Sequence, residues 1–163
     1  MLKLDDRDLK MLAILRERGR ISKAELAKRV NLSAAPCWER LKRLEEAGIV
    51  TGYRAEVALK KMAPHITVLM AAELDSHRAE DFQRFERSVE RFDEIVSCWA
   101  VGGGFDYILQ IVARDIDAYQ RLVDTLLEIR VGLARYFTYV VTKQVKDSPK
   151  LPFDALLGGR PKE

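Results

Sequence analysis

The sequence predicts an α+β protein in two parts: an N-terminal helix-turn-helix unit, with a strand behind it that suits a wing, and a C-terminal ferredoxin-like unit of order βαββαβ. Three observations predict it. Residues up to 48 carry three short helical patterns with start and stop signals. Residues from 65 onward alternate between β-branched apolar runs and amphipathic helical runs. Charge divides at the same place, because residues 1–64 hold 15 Lys and Arg against 9 Asp and Glu, whereas residues 65–163 hold 13 against 16. A front half at +6 and a back half at −3 points to a polyanion as the partner of the front. The expected boundaries are 1–57 for the first unit, 58–64 for a linker ending at Pro64, 65–146 for the second unit and 147–163 for a tail.

In the first helix Asp5 or Asp6 is placed to accept a first-turn N–H, and Gly19 follows the last turn. Leu9, Leu12 and Leu15 mark its expected inner face, with Met11 and Ile14 flanking it. The second helix opens on Ser22-Lys23-Ala24-Glu25, an S-x-x-E capping box, and turns at Asn31, which tolerates positive φ. Ser33 caps the third, which stops at Gly48. At 100° per residue Cys37, Leu41 and Leu44 form a stripe that can seal against the other two helices.

Pro36 falls in the first turn of this third helix, where N–H groups lack intrahelical acceptors, so it stiffens the entry at little cost. Ala34 and Ala35 keep that end thin. A slender, positively polarised helix start followed by Arg40, Lys42 and Arg43 suits the reading of a DNA major groove. The candidate DNA-binding residues at the helix starts are Ser22, Ser33, Ala35 and Pro36, and along the third helix Trp38, Glu39, Arg40, Lys42 and Arg43. Trp38 has two readings, packing at the edge of the unit or contact with a thymine methyl or sugar, and packing is the preferred one. After Gly48, "IVTGYRAEV" reads as a strand that could form a wing or pair across a dimer.

The back half gives strands at 65–74, 95–101, 107–114 and 133–145 and helices at 78–92 and 116–129. Phe82, Phe85, Val89 and Phe92 repeat at helical spacing. A faint echo supports the order: Phe82-Gln83-Arg84-Phe85 matches Tyr119-Gln120-Arg121-Leu122 at an offset of 37, and the same offset carries strand 95–101 onto 132–138. Gly102-Gly103-Gly104 joins two strands and so is no dinucleotide fingerprint. It is either a strained connection or a turn whose bare N–H groups hold a small carboxylate while Asp106 orients the loop or meets an amine.

Enzyme chemistry has little to stand on. His65 and His77 lack metal-ligand or triad company in the sequence, and Cys37 and Cys98 suit small-hydrophobe roles, with neither metal nor disulfide spacing. No cofactor or metal is expected. "ITVLMAA" is too short for a bilayer and "MLKLDDRD" lacks a leader's apolar core, so no membrane association and a cytoplasmic location with reduced thiols are expected.

The stretch "ELAKRVNLSAAPCWERLKRLEEAGIVTGYRAEV" resembles the DNA-binding segment of Lrp/AsnC-type (feast/famine) transcription regulators, through Pro36-Cys37, "RLKRLEEAGIV" and the following "GY". The back half resembles that family's RAM effector domain, including the Gly-rich turn that ends in Asp106-Tyr107. The likeness spans about residues 3–146 and leaves out the tail. It implies homodimers formed through the sheets, often assembled into tetramers, octamers or larger rings, on double-stranded DNA sites with dyad symmetry. It also implies an amino acid or related effector near the Gly-rich turn, where dimers meet. Gly102, Gly103, Gly104, Asp106 and Tyr107 match motif positions; Ala100, Val101 and Thr138 are added for proximity on neighbouring strands. Ala34-Ala35 stand where the family often has small hydroxylated residues, and Trp38 is bulky for its position. The combination "PCWERLKRLEEAGIV…YFTYVVTK" resembles members associated with ectoine-type catabolism, which implies a diamino acid or its acetylated form as effector. Two other functions stay open: an architectural DNA-wrapping protein without an effector, and a ferredoxin-like small-molecule-binding or catalytic protein whose front half docks a protein.

Overall fold

A computed structural model describes residues 2–148 and 150–157; the rest of the expected tail, 149 and 158–163, lies outside the described residues. The chain divides into two compact units, one of residues up to Glu56 together with those from Lys146, the other Val57–Val145. The expected tail thus belongs with the front unit, and the expected linker holds a short 3-10 turn at Leu59–Lys61 within the second.

The front unit contains α1 (Asp6–Glu17), α2 (Lys23–Arg29) and α3 (Ala34–Glu46). Asp5 caps α1 by accepting the Asp8 N–H at 2.9 Å, and Asp8 returns the favour by accepting the Asp5 N–H at 3.1 Å. This reciprocal pair closes the helix start with two carboxylates where the macrodipole favours negative charge. In α2 only half of the expected box forms. Ser22 Oγ accepts the Glu25 N–H, but the Glu25 carboxylate turns outward to Arg29 Nε at 2.8 Å, four residues along the helix. Asn31 takes φ 55° and lets the chain reverse into α3. Ser33 holds the cap position of α3, yet its hydroxyl makes no capping bond. Gly48, at φ 67°, ends the helix as expected.

Cys37, Leu41 and Leu44 are buried against Met11, Leu26, Ala27 and Val30. The face of α1 differs from the expectation. Met11 and Asp8 are fully buried, while Leu9, Leu12 and Leu15 are half-buried. The helix rolls because Asp8 has partners on α3, described below. Residues 49–58 form no strand, since a strand needs a hydrogen-bonded neighbour. Tyr53 instead fixes the segment to the end of α3 by donating its hydroxyl to Glu45 Oε1 at 2.7 Å. Burial and this carboxylate push the phenol up to about 12. The tail adds α6 (Phe153–Leu156), and Leu151 and Phe153 border a cleft of about 590 Å³ with Leu12, Leu15 and the 49–56 segment.

The second unit runs β1 (Ile66–Leu74), α4 (Ala79–Val89), β2 (Ile95–Ala100), β3 (Tyr107–Ala113), α5 (Ile116–Glu128) and β4 (Leu133–Val140). The sheet order is β2-β3-β1-β4, antiparallel throughout, the ferredoxin-like arrangement the sequence predicts. The internal echo has a spatial counterpart, because the matched strands β2 and β4 are the two sheet edges. β4 is shorter than expected. Burial alternates along β3, and along β1 apart from Ala71, which is buried on the other face. Val68, Met70, Ala72, Leu74, Tyr107, Leu109, Ile111 and Ala113 face the core shared with Phe85, Val89, Tyr119, Leu122, Val123 and Leu126 of the helices. The opposite face carries Leu69, Trp99, Phe137 and Tyr139, all at least about a third exposed.

Candidate nucleic-acid interface and effector turn

α3 has one sealed side and one open side. Its sealed side includes more than the apolar stripe. Arg40 donates through Nη1 to Asp5 Oδ2 at 2.7 Å and to Asp8 Oδ1 at 2.8 Å. Arg43 donates through Nη2 to Asp8 Oδ2 at 2.6 Å. Asp8 is wholly buried, so its two oxygens hold two guanidiniums in a low-dielectric setting where such bonds are strong and directional. The Asp8 N–H and then Arg40 hold the Asp5 carboxyl below its ordinary value, and the carboxylates of Asp8 first and then Asp5 raise Arg40. The sequence predicts Arg40 and Arg43 as DNA contacts. The structure instead commits both to α1, and the reason is a carboxylate on the inner face of α1 that periodicity alone hides.

The open side begins at Ser33, Ala34 and Ala35, which are exposed, with Pro36 half-buried at the third helical position as expected. Glu39 and Lys42 are exposed, and Lys42 lies 3.6 Å from Glu46 one turn on. Trp38 was expected to pack at the edge. It is 41% exposed, and the Lys23 Nζ of α2 sits 3.3 Å from the centre of its ring. Ser22, next to Lys23, has its hydroxyl engaged in capping.

In the second unit the glycine turn joins β2 to β3. Val101 N–H donates to Asp106 O, and Asp106 N–H donates to Ala72 O, both at 2.9 Å. Gly103 takes φ 143°, which L side chains rarely adopt. Ala100 and Gly102–Gly104 are exposed. Asp106 is a fastener of this turn, since Oδ2 accepts the Leu74 N–H of β1 at 2.8 Å and Oδ1 lies 3.1 Å from His77 Nε2. His77 has no such company along the sequence; folding supplies Asp106 from 29 residues away. Tyr107 is buried and donates its hydroxyl inward to Glu86 Oε1 of α4 at 2.8 Å. Burial first, then Glu86, raises its phenol far above the ordinary range.

Thr138 does not join the turn. On β4, at the sheet edge opposite β2, it pairs with Met70 of β1, and its hydroxyl bonds Tyr119 at 2.6 Å. The residue that does reach from the turn toward β4 is Phe105, edge-on to Phe137 at 5.3 Å. Aromatics around "GGGFD" and "RYFTY" were the available signal. Cys98 stays a small core-edge hydrophobe, its thiol pushed up to about 11 by burial, and Cys37 is buried. Among the described residues no group of three metal-ligating side chains occurs and no helix is long and apolar enough to cross a membrane.

A helix-turn-helix with α3 presented, followed by this sheet and its glycine turn, is matched by two family models. Residues 4–51 match a winged helix-turn-helix DNA-binding family, and residues 67–151 match the Lrp/AsnC ligand-binding domain. The chain belongs to the Lrp/AsnC family of transcriptional regulators. It is 50% identical over 145 residues to the transcriptional regulatory protein DoeX of Halomonas elongata, covering 89% of this chain and 92% of that protein. It is 38% identical over 149 residues to the leucine-responsive regulatory protein of Escherichia coli, covering 91% and 90%. Among solved structures, a transcriptional regulator of Neisseria meningitidis in complex with L-Met superposes with TM-score 0.88 at 33% identity, covering 94% of this chain and 99% of that one. An AsnC family regulator from Agrobacterium tumefaciens gives 0.86 at 31%, with the same coverage. These Lrp/AsnC relatives are regulators rather than enzymes.

Proposed function

We propose that the chain is a sequence-specific transcription regulator whose DNA binding or assembly responds to an amino acid or amino-acid derivative. The observation that carries this is the two-sided α3. Cys37, Leu41, Leu44 and the Asp8 cluster fix one side, leaving Ser33, Ala35, Trp38, Glu39 and Lys42 exposed around the thin entry at Pro36. Two copies joined through the apolar sheet face bearing Leu69, Trp99, Phe137 and Tyr139 present two such helices about 34 Å apart, or a multiple of that turn length. Residues 49–58, which have no strand partner in a single copy, suit pairing with a second copy. Further assembly, up to octamers, brings the exposed glycine turns of neighbouring dimers together.

The backbone N–H groups of Gly102, Gly103 and Gly104 make no hydrogen bond among the described residues, which suits them to a carboxylate. His77 and Asp106 stand beside them. Asp106 serves as the fastener that shapes the turn, with Ala100 and Val101 leading into it. The half-identity to DoeX, with the resemblance to ectoine-type members, supports a diamino acid or its acetylated form as effector.

The test is fluorescence anisotropy on the duplex upstream of the protein's own gene across a salt series, with and without L-amino acids and L-2,4-diaminobutyrate, and light scattering of the same mixtures. An effector should shift the apparent Kd at least about fivefold. Loss of all DNA binding at every salt concentration sinks the regulator reading. DNA binding and mass that no amino acid alters would leave an architectural role.

A further inference from the structure

The cations of α3 and the lysine that opens α2 differ in kind. Every cation on α3 has a carboxylate: Arg40 with Asp5 and Asp8, Arg43 with Asp8, Lys42 with Glu46. A guanidinium already shared with a buried carboxylate brings little net positive charge to a phosphate, and drawing it away would strand Asp8 in the core. Lys23 differs. It is exposed, no carboxylate among the described residues lies within ion-pair distance of it, and its ammonium rests on the Trp38 ring.

An aromatic ring holds a cation through its quadrupole without neutralising it. Trp38 therefore fixes where the Lys23 charge sits and leaves its outward side able to meet an anion. The indole N–H has no acceptor among the described residues and the residue is half-exposed, so the same side chain offers a second donor. Joining α2 to α3, the stack puts a positive charge that no carboxylate shares beside the thin entry of the reading helix.

We propose that the Lys23–Trp38 stack is a contact to a DNA backbone phosphate at the leading edge of α3, while Arg40 and Arg43 are positioning residues that orient the helix through Asp8. This rests on the DNA-binding reading above and specifies which side chains carry its electrostatic part. A phosphate contact adds affinity on any sequence and releases about one counterion. A positioning residue changes affinity without that signature.

The experiment measures Kd by anisotropy across a salt series, for the duplex upstream of the gene and for a random duplex of equal length. Lys23→Ala should weaken binding to both by a similar factor and lower the slope of log K against log salt by about one. Trp38→Ala should lose the same slope, the double variant no more than either single one, and Trp38→Phe should retain most of it. Arg40→Ala should lose affinity with the slope intact. Thermal unfolding of Lys23→Ala should stay cooperative and close to wild type, since the residue is exposed and loses only its contact with the Trp38 ring. An unchanged slope in Lys23→Ala, or a slope lost in Arg40→Ala instead, overturns the assignment while wild-type binding keeps the DNA-binding reading. Absence of wild-type binding to either duplex overturns both.

Discussion

In the front unit one cluster buries seven apolar side chains, Met11 and Leu44 among them, and the carboxylate of Asp8 is buried as well; in the back unit one cluster buries fifteen side chains, none of them charged. The sheet unit needs no such charge. Its strand register, set by Met70 opposite Leu109 and Thr138, already places every residue, and one slip would turn the whole apolar set to the wrong face. Three short helices have no comparable register. Apolar contact alone lets α3 roll against α1, whereas charge-assisted bonds from Asp8 to Arg40 and Arg43 work at one angle. The small core is fixed by direction and the large one by pattern.

That contrast can be broken from either side. The largest effect should come from Phe85→Ala, which removes a fully buried ring 4.6 Å from Tyr107 and should destabilise the sheet unit by about 3–5 kcal/mol in urea unfolding. Asp8→Ala should cost the front unit about 2–4 kcal/mol, and Asp8→Asn less, because two partly buried guanidiniums lose their partner. A neutral Asp8→Ala would mean that seven apolar residues orient α3 unaided. Tyr107→Phe should cost about 1 kcal/mol, the worth of one hydrogen bond to Glu86, and leave the sheet's chemical shifts otherwise in place.

The smallest effect is a pH dependence confined to the front. Asp5 is held below its ordinary value of 3.8, so its stabilising contribution is complete above that value and is lost as pH falls through the lower folded one. Circular dichroism of Asp5→Asn should show this acid step removed, and an identical acid profile in the variant would count against the cluster. All four outcomes separate the units, since the first and third act on the sheet and the other two on the helices.

Much of this architecture was legible because its causes are local. Asp5 capping α1, the positive φ of Asn31 and Gly48, Pro36 at a helix start and the stripe Cys37-Leu41-Leu44 all depend on residues within a turn or two of one another. The core alternation of β1 and β3 is just as local. The site was less legible. Asp8 meets its arginines 32 and 35 residues away, and nothing in the pattern of α1 says which way a carboxylate on its inner face will be satisfied. A charged residue three positions before a buried Met11 was the only hint. Thr138 is expected near the turn for proximity on neighbouring strands, whereas β4 lies at the sheet edge opposite β2, and the strand order is not written in any local pattern.

By itself, then, the sequence determined the two-part α+β order, the caps and turns, and the apolar face of each element, since those follow from periods of 3.6 and 2 and from φ preferences of single residues. Only the tertiary structure decided which charges are free to act. Arg40 and Arg43 are held by Asp8, Lys23 is carried on Trp38, and His77 stands against Asp106, because a side chain's charge is available only after every partner the fold brings near has taken its share.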